Sequence, residues 1–191
     1  IITKSCKKLE GLNIRNSTAT GSHFSSNLFL GAISPICTSL KTLSAQNLPT
    51  IDIATLTALT QSCRILTSIS LNDCCDLSDV SLGVIGQNCP VLLSADFSQC
   101  PEITLDGVRI LLTCCLGMEN ISCMVCDEIT NFCEMPPQVT VTEAVSHDHA
   151  QRDKDRVIVR KQDEEGKQKY SKLRNVNLSY CYNLKPEALI V

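Results

Sequence analysis

Apolar residues recur along this chain in a fixed phrase, C-x2-L-x2-L-x-L-x2-C-x2-I/L-x4-L-x2-L-x3-C. It reads most clearly as Cys63, Leu66, Ile69, Leu71, Cys74, Leu77, Leu82, Ile85 and Cys89. The first half alternates apolar with polar residues, as in Ile69-Ser70-Leu71 and Ala95-Asp96-Phe97, which predicts a strand with one buried face. The second half spaces apolar residues by three and then four, as in Val108, Leu111 and Cys115 after Leu82, Ile85 and Cys89, which predicts a helix. The phrase opens at Cys37, Cys63, Cys89 and Cys115, a period of 26 residues. A unit of this kind cannot bury its apolar face alone, so the units must stack. The expected fold is α/β, a solenoid curved in the right-handed sense, with a parallel sheet on its concave face and helices on its convex face.

The less regular units define the organisation. The first runs through Cys6, Leu9, Leu12 and Ile14, then carries about five extra residues before Leu30, Ile33 and Cys37. The second runs through Leu40, Leu43, Ala45 and Leu48, with Leu56 and Leu59 on its helix. The fifth starts at Cys115, Met118, Ile121, Cys123, Cys126 and Ile129, but no helical spacing follows. A sixth resumes at Leu173, Val176, Leu178, Cys181, Leu184 and Leu189, with Tyr170 in the place of the first cysteine. Residues 1–130 are therefore read as five repeats, residues 131–169 as an insertion, and residues 170–191 as a truncated sixth repeat. Neither end supplies a polar capping unit, so a fragment of a longer solenoid is expected.

The insertion holds 15 of the 37 charged side chains, eight acidic and seven basic, together with the Pro136-Pro137 pair. Such a stretch buries too little apolar surface to order itself and is expected to loop out, with a short strand within residues 156–160. Over the whole chain, 191 residues with 43% apolar content and a net charge of -3 make one sizeable core, with no electrostatic case for nucleic acid or an anionic membrane. There is no transmembrane-length apolar run and no signal peptide at IITKSCKKLE. Most of the 13 cysteines fall at two fixed phases of the repeat, which suits buried, reduced thiols and a cytoplasmic protein, with nuclear or cytoskeletal and axonemal settings also compatible. The sequons at Asn16, Asn120 and Asn177 are weighed as chance matches in a Ser- and Asn-rich chain.

The phrases resemble the cysteine-containing leucine-rich repeat carried by many F-box proteins and by relatives without an F-box. The resemblance covers about 150 of the 191 residues. It is closest over residues 63–89, with Leu77-Ser78-Asp79 in the place of the family's I-T-D, and over residues 89–115, where Ile103-Thr104 and Gly107-Val108 stand close to I-T-x2-G-L. In the family the repeats hold a substrate while a separate F-box binds the ubiquitin-ligase scaffold. This chain contains no F-box pattern, so that contact is expected through a region outside it.

Other constellations have a structural reading beside the chemical one. Cys123-Met124-Val125-Cys126 with Cys133 and His147-Asp148-His149 invites zinc, but Cys123 stands where Leu71 does in the third unit, and Cys126 where Cys74 and Cys100 do. Neither Cys74-Cys75 nor Cys114-Cys115 has an adjacent cation to activate a thiolate, and the extra thiols Cys75 and Cys114 are expected at repeat edges. No nucleophile elbow, phosphate-binding loop or HExxH motif occurs, so no enzymatic activity, metal or cofactor is expected.

The expected site is the concave sheet face, which would present Asn13, Arg15, Ser44, Gln46, Ser70, Asn72, Asp96, Ser98, Ser122, Met124, Asn177 and Ser179 to a protein partner. Arg15 and Asp96 are its best single anchors. The expected function is a non-enzymatic interaction scaffold, the substrate-recognition repeats of an F-box-type ubiquitin-ligase receptor. The alternative is a structural repeat subunit of a large assembly such as an axonemal or cytoskeletal complex.

Overall fold

The computed structural model describes residues 8–15, 26–48, 51–129, 140–141, 159–160 and 172–183. Strand and helix alternate through the first 122 residues: β1 (Gly11–Arg15), α1 (Ser26–Ile33), β2 (Thr42–Gln46), α2 (Ile53–Ser62), β3 (Ser68–Ser70), α3 (Asp79–Asn88), β4 (Ser94–Asp96), α4 (Leu105–Cys114) and β5 (Asn120–Ser122). β6 (Thr140–Val141) and β7 (Val159–Arg160) pair with each other antiparallel, and β8 (Asn175–Asn177) follows. The remainder of residues 131–169, and with it the expected looping-out of the insertion, lies outside the described residues. So do Cys6, Cys133, the two insertion histidines, Tyr170, Leu184 and Leu189.

β1 to β5 and β8 form one six-stranded parallel sheet in chain order. Thr42 pairs with Ser68, Ser68 with Ser94 and Ser94 with Asn120, so each step in the sheet is one sequence period. The two irregular steps keep the same register. Gly11 pairs with Thr42, which leaves five extra residues in the first unit, and Asn120 pairs with Asn175 across a separation of 55 residues. The sheet thus continues from β5 to β8 without a break in register.

Between sheet and helices lies a single core. Leu43, Ala45, Ile69, Leu71, Ala95, Phe97, Ile121, Cys123 and Val176 enter it from the sheet side, and Leu56, Leu59, Leu82, Ile85, Val108 and Leu111 from the helices. All are at most 2% exposed, the two interleaved periods of the sequence having met on one side. In the first unit the corresponding Leu9, Leu12 and Ile14 are only partly buried against this core.

Local chemistry places the helix ends. Asp52 caps α2 by accepting from the Thr55 N–H at 2.6 Å, and Thr104 caps α4 by accepting from the Asp106 N–H at 3.1 Å. At the other ends Cys63, Cys89 and Cys115 are the C-cap residues of α2, α3 and α4, their N–H groups closing on Leu59, Ile85 and Leu111. Neighbouring helices touch through Asp79, whose carboxylate accepts from the Thr104 N–H at 2.8 Å and from Thr104 Oγ1 at 2.6 Å. Gly107 is required there, because a Cβ at that position would collide with the Asp79 carboxylate and sit 2.9 Å from its Cα. Ser78 and Thr104, which stand in the place of the threonine in the phrases the chain resembles, thus head the two helices, and Thr104 also ties α4 to α3.

The cysteines form two columns. Cys63 Sγ donates to the Cys37 carbonyl at 3.1 Å, Cys89 Sγ to the Cys63 carbonyl at 3.7 Å and Cys115 Sγ to the Cys89 carbonyl at 3.4 Å. In the second column Cys74, Cys100 and Cys126 donate to the carbonyls of Ala45, Leu71 and Phe97 at 3.3 to 3.5 Å. Cys181 donates to the carbonyl of Cys123 at 3.0 Å. Each thiol satisfies a carbonyl of the neighbouring unit, which a purely aliphatic residue could not do. The two extra cysteines divide. Cys75 is exposed in the turn after Cys74, whereas Cys114 is half-buried on α4, where its Cβ packs at the Gly86 position of α3 rather than at an edge.

Candidate partner-binding face

Side chains alternate across a strand, so the residues between the buried ones emerge together on the far face of the sheet. Parallel pairing in constant register then turns them into rows. One row runs Asn13, Ser44, Ser70, Asp96, Ser122 and Asn177. A second begins with Arg15 opposite Gln46 and continues just past the shorter strands through Asn72, Ser98, Met124 and Ser179. The carbonyls of those last four accept from the N–H groups of Asn47, Asp73, Gln99 and Val125, which extends the ladder one step beyond the strands. All twelve residues expected from the sequence therefore lie in two adjacent rows, the Arg15 side chain being outside the described part.

Their exposure is uneven. Asn13 is exposed, and Ser44, Gln46, Ser70, Asn72, Asp96, Ser122, Met124, Asn177 and Ser179 are half-buried. Ser98 is buried, at 8%, and its hydroxyl works internally. It donates to Asp96 Oδ1 at 2.6 Å, lies 2.9 Å from Ser122 Oγ and accepts from the Met124 N–H at 3.2 Å. Ser98 is thus a joint between neighbouring strands rather than a surface contact. Asp96 Oδ1 also accepts from the Ser98 N–H at 3.1 Å. Elsewhere Gln46 Nε2 donates to Ser70 Oγ at 3.4 Å, and Ser70 Oγ to Asn72 Oδ1 at 3.1 Å.

A third row, which the sequence pattern did not point out, precedes these two: Gly11, Thr42, Ser68, Ser94, Asn120 and Asn175. Asn175 Nδ2 donates to Asn120 Oδ1 within it. From Thr42 onward these residues are polar and fill a variable position of the apolar phrase, one place before the first inward residue of each strand. Their only signal is that Ser, Thr or Asn recurs at positions 42, 68, 94, 120 and 175.

Immediately beyond the face, Asn47, Asp73, Gln99, Val125 and Tyr180 all adopt positive φ, between 52° and 62°. This left-handed turn follows β2, β3, β4, β5 and β8, and leads to Leu48 or to a cysteine of the second column. Asn and Asp tolerate it, while a β-branched residue is strained there by about 1–2 kcal/mol. Val125→Asn is therefore expected to raise stability by about 1 kcal/mol in urea unfolding. An unchanged or lowered midpoint would mean that packing of the half-buried valine outweighs its backbone strain.

Seven of the buried thiols beneath the face are held protonated, whereas the hydrogen bond with Cys123 lowers Cys126. Burial pushes Cys89, Cys100 and Cys115 up to about 12, and Cys63, Cys74 and Cys181 up to about 11. Cys123 is raised by its hydrogen bond to the Cys126 thiol and by burial. A thiol held protonated in this way is neither a nucleophile nor a ready metal ligand at neutral pH. Among the described residues no group of three or more His, Cys, Asp or Glu side chains is placed to hold a metal ion. Among the same residues no helix is long and apolar enough to cross a membrane.

No protein-family model matches this chain, and no curated protein matches it.

Proposed function

We propose that this chain is a leucine-rich-repeat solenoid whose polar sheet face binds a protein partner, as the substrate-recognition repeats of an F-box-type ubiquitin-ligase receptor. The observation that carries the reading is the register. Six strands pair so that polar residues repeat in rows across the whole sheet while every inward position is apolar. A face of small, hydrogen-bonding side chains admits close approach of a partner's backbone or helix, and fixed rows give it regularly spaced donors and acceptors. The receptor role itself rests on the resemblance of the repeat phrases, and the contact with the ligase scaffold falls to a region outside these residues.

Affinity purification of the full-length protein from cells tests the reading. Ubiquitin-ligase scaffold subunits are expected among the partners recovered, and their consistent absence would overturn the receptor assignment. Recovery with axonemal or cytoskeletal proteins in their place would instead favour a fixed structural subunit.

A further inference from the structure

Of the residues whose side chains are described in the three rows, only Asp96 is charged, and its surroundings set it apart. It stands near the middle of the sheet on β4, opposite Ser70 of β3 on one side and Ser122 of β5 on the other. Ser94 and Ser98 precede and follow it by two residues along its own chain. Four serines therefore surround one carboxylate. At strand spacings of about 4.8 Å, with about 6.7 Å between alternate residues, this ring is close to the size of a guanidinium or ammonium group with its hydrogen-bond partners.

The carboxylate is fixed but only half used. Its Oδ1 accepts from both the N–H and the hydroxyl of Ser98, while Oδ2 accepts no hydrogen bond from any described residue. No described lysine or arginine nitrogen lies within 4.0 Å of it. The last strand provides an internal control. Asn177 occupies the equivalent position and makes the same local bonds, its Oδ1 accepting from the Ser179 N–H at 3.1 Å and from Ser179 Oγ at 2.7 Å. An amide oxygen thus suffices to lock this turn. The negative charge at Asp96 is surplus to the fold, and a half-buried charge without a cation is a cost to be explained.

We infer that Asp96 and its ring of serines form a subsite for a cationic side chain, Lys or Arg, of the partner protein that lies across the sheet. Oδ2 supplies the charge-assisted acceptor, and the hydroxyl oxygens of Ser70, Ser94 and Ser122 offer the neutral acceptors that a guanidinium or ammonium requires for its remaining N–H groups. The small side chains leave room for the long stem of the incoming residue. A single carboxylate among hydroxyls is a poor cage for a divalent metal, which gathers several anionic or carbonyl ligands. This inference rests on the sheet face being the partner-binding surface, and the test separates the two.

Random peptides displayed on phage are selected against the purified chain under reducing conditions, and the enriched peptides are synthesised and titrated. Enriched sequences are expected to share a Lys or Arg at one position. Asp96→Asn should weaken their binding about tenfold or more while leaving the melting temperature unchanged, as the geometry at Asn177 implies. Ser70→Trp, which fills the ring from the adjacent strand, should abolish binding. Asp96→Arg should restore binding to a peptide whose basic residue is exchanged for Glu. If Ser70→Trp abolishes binding but Asp96→Asn does not weaken it, or if the enriched peptides lack a common basic residue, the cationic subsite is wrong while the face remains the binding surface. If binding survives both substitutions, or no peptide is enriched, the face reading and the subsite fall together.

Discussion

Raising the pH from about 8 to about 10 is expected to unfold this protein cooperatively. In an unfolded chain a thiol titrates near 8.5, at about its ordinary value. In the folded chain six of them, Cys63, Cys74, Cys89, Cys100, Cys115 and Cys181, are held up at about 11 to 12 by burial. Above about pH 8.5 the unfolded state therefore releases protons that the folded state keeps, so stability is full below that pH and falls above it. Each thiol contributes a slope of about 1.4 kcal/mol per pH unit, and six together about 8, against a total stability of order 5–15 kcal/mol for a domain. Loss of helical circular dichroism and the rise of thiolate absorbance should coincide. Cys89→Ala should lower stability at neutral pH and flatten the alkaline slope. A protein still folded near pH 11 with silent thiols would show that the columns are not coupled to folding as argued.

Phe97→Ala is expected to remove about 3–5 kcal/mol and Leu71→Ala about 2–5 kcal/mol, the range for emptying a filled core position. Both side chains are fully buried, at 0% exposure, on the inward side of the sheet directly after β4 and β3. Ser70→Ala, one residue away on the opposite face, gives up its links to Gln46 and Asn72 at a half-buried site and should change stability by less than about 1 kcal/mol. Urea unfolding of the three variants measures the contrast. Equal losses at Leu71 and Ser70 would place the strands in a different register.

Most of the scaffold was legible in the sequence because burial here is periodic. Ile69 and Leu71, or Leu82 and Ile85, lie where alternation and helical spacing put them, and the cysteines lie in register because each closes a carbonyl of the unit before. The polar surface was harder to read. Nothing in the letters distinguishes Ser98, whose hydroxyl is consumed by Asp96 and Ser122, from Ser70, which stays half-exposed. The row from Thr42 to Asn175 was missed because these residues fill variable positions of the apolar phrase, where the recurrence of Ser, Thr or Asn is weaker than that of the flanking apolar residues. Likewise the packing of Cys114 at Gly86 depends on how α3 and α4 approach each other, which no spacing within one helix encodes.

Continuous pairing of β5 with β8 has a practical consequence. Wherever a chain leaves a sheet and returns to the next strand in the regular register, the length between is limited only by the entropy of closing a loop, which grows by about 0.6 kcal/mol for each doubling. Ile129 and Lys172 therefore bracket a natural splice point. A fluorescent protein or a small enzyme grafted between them is expected to leave the pairing of β5 with β8 in register, and so to report on where the protein goes.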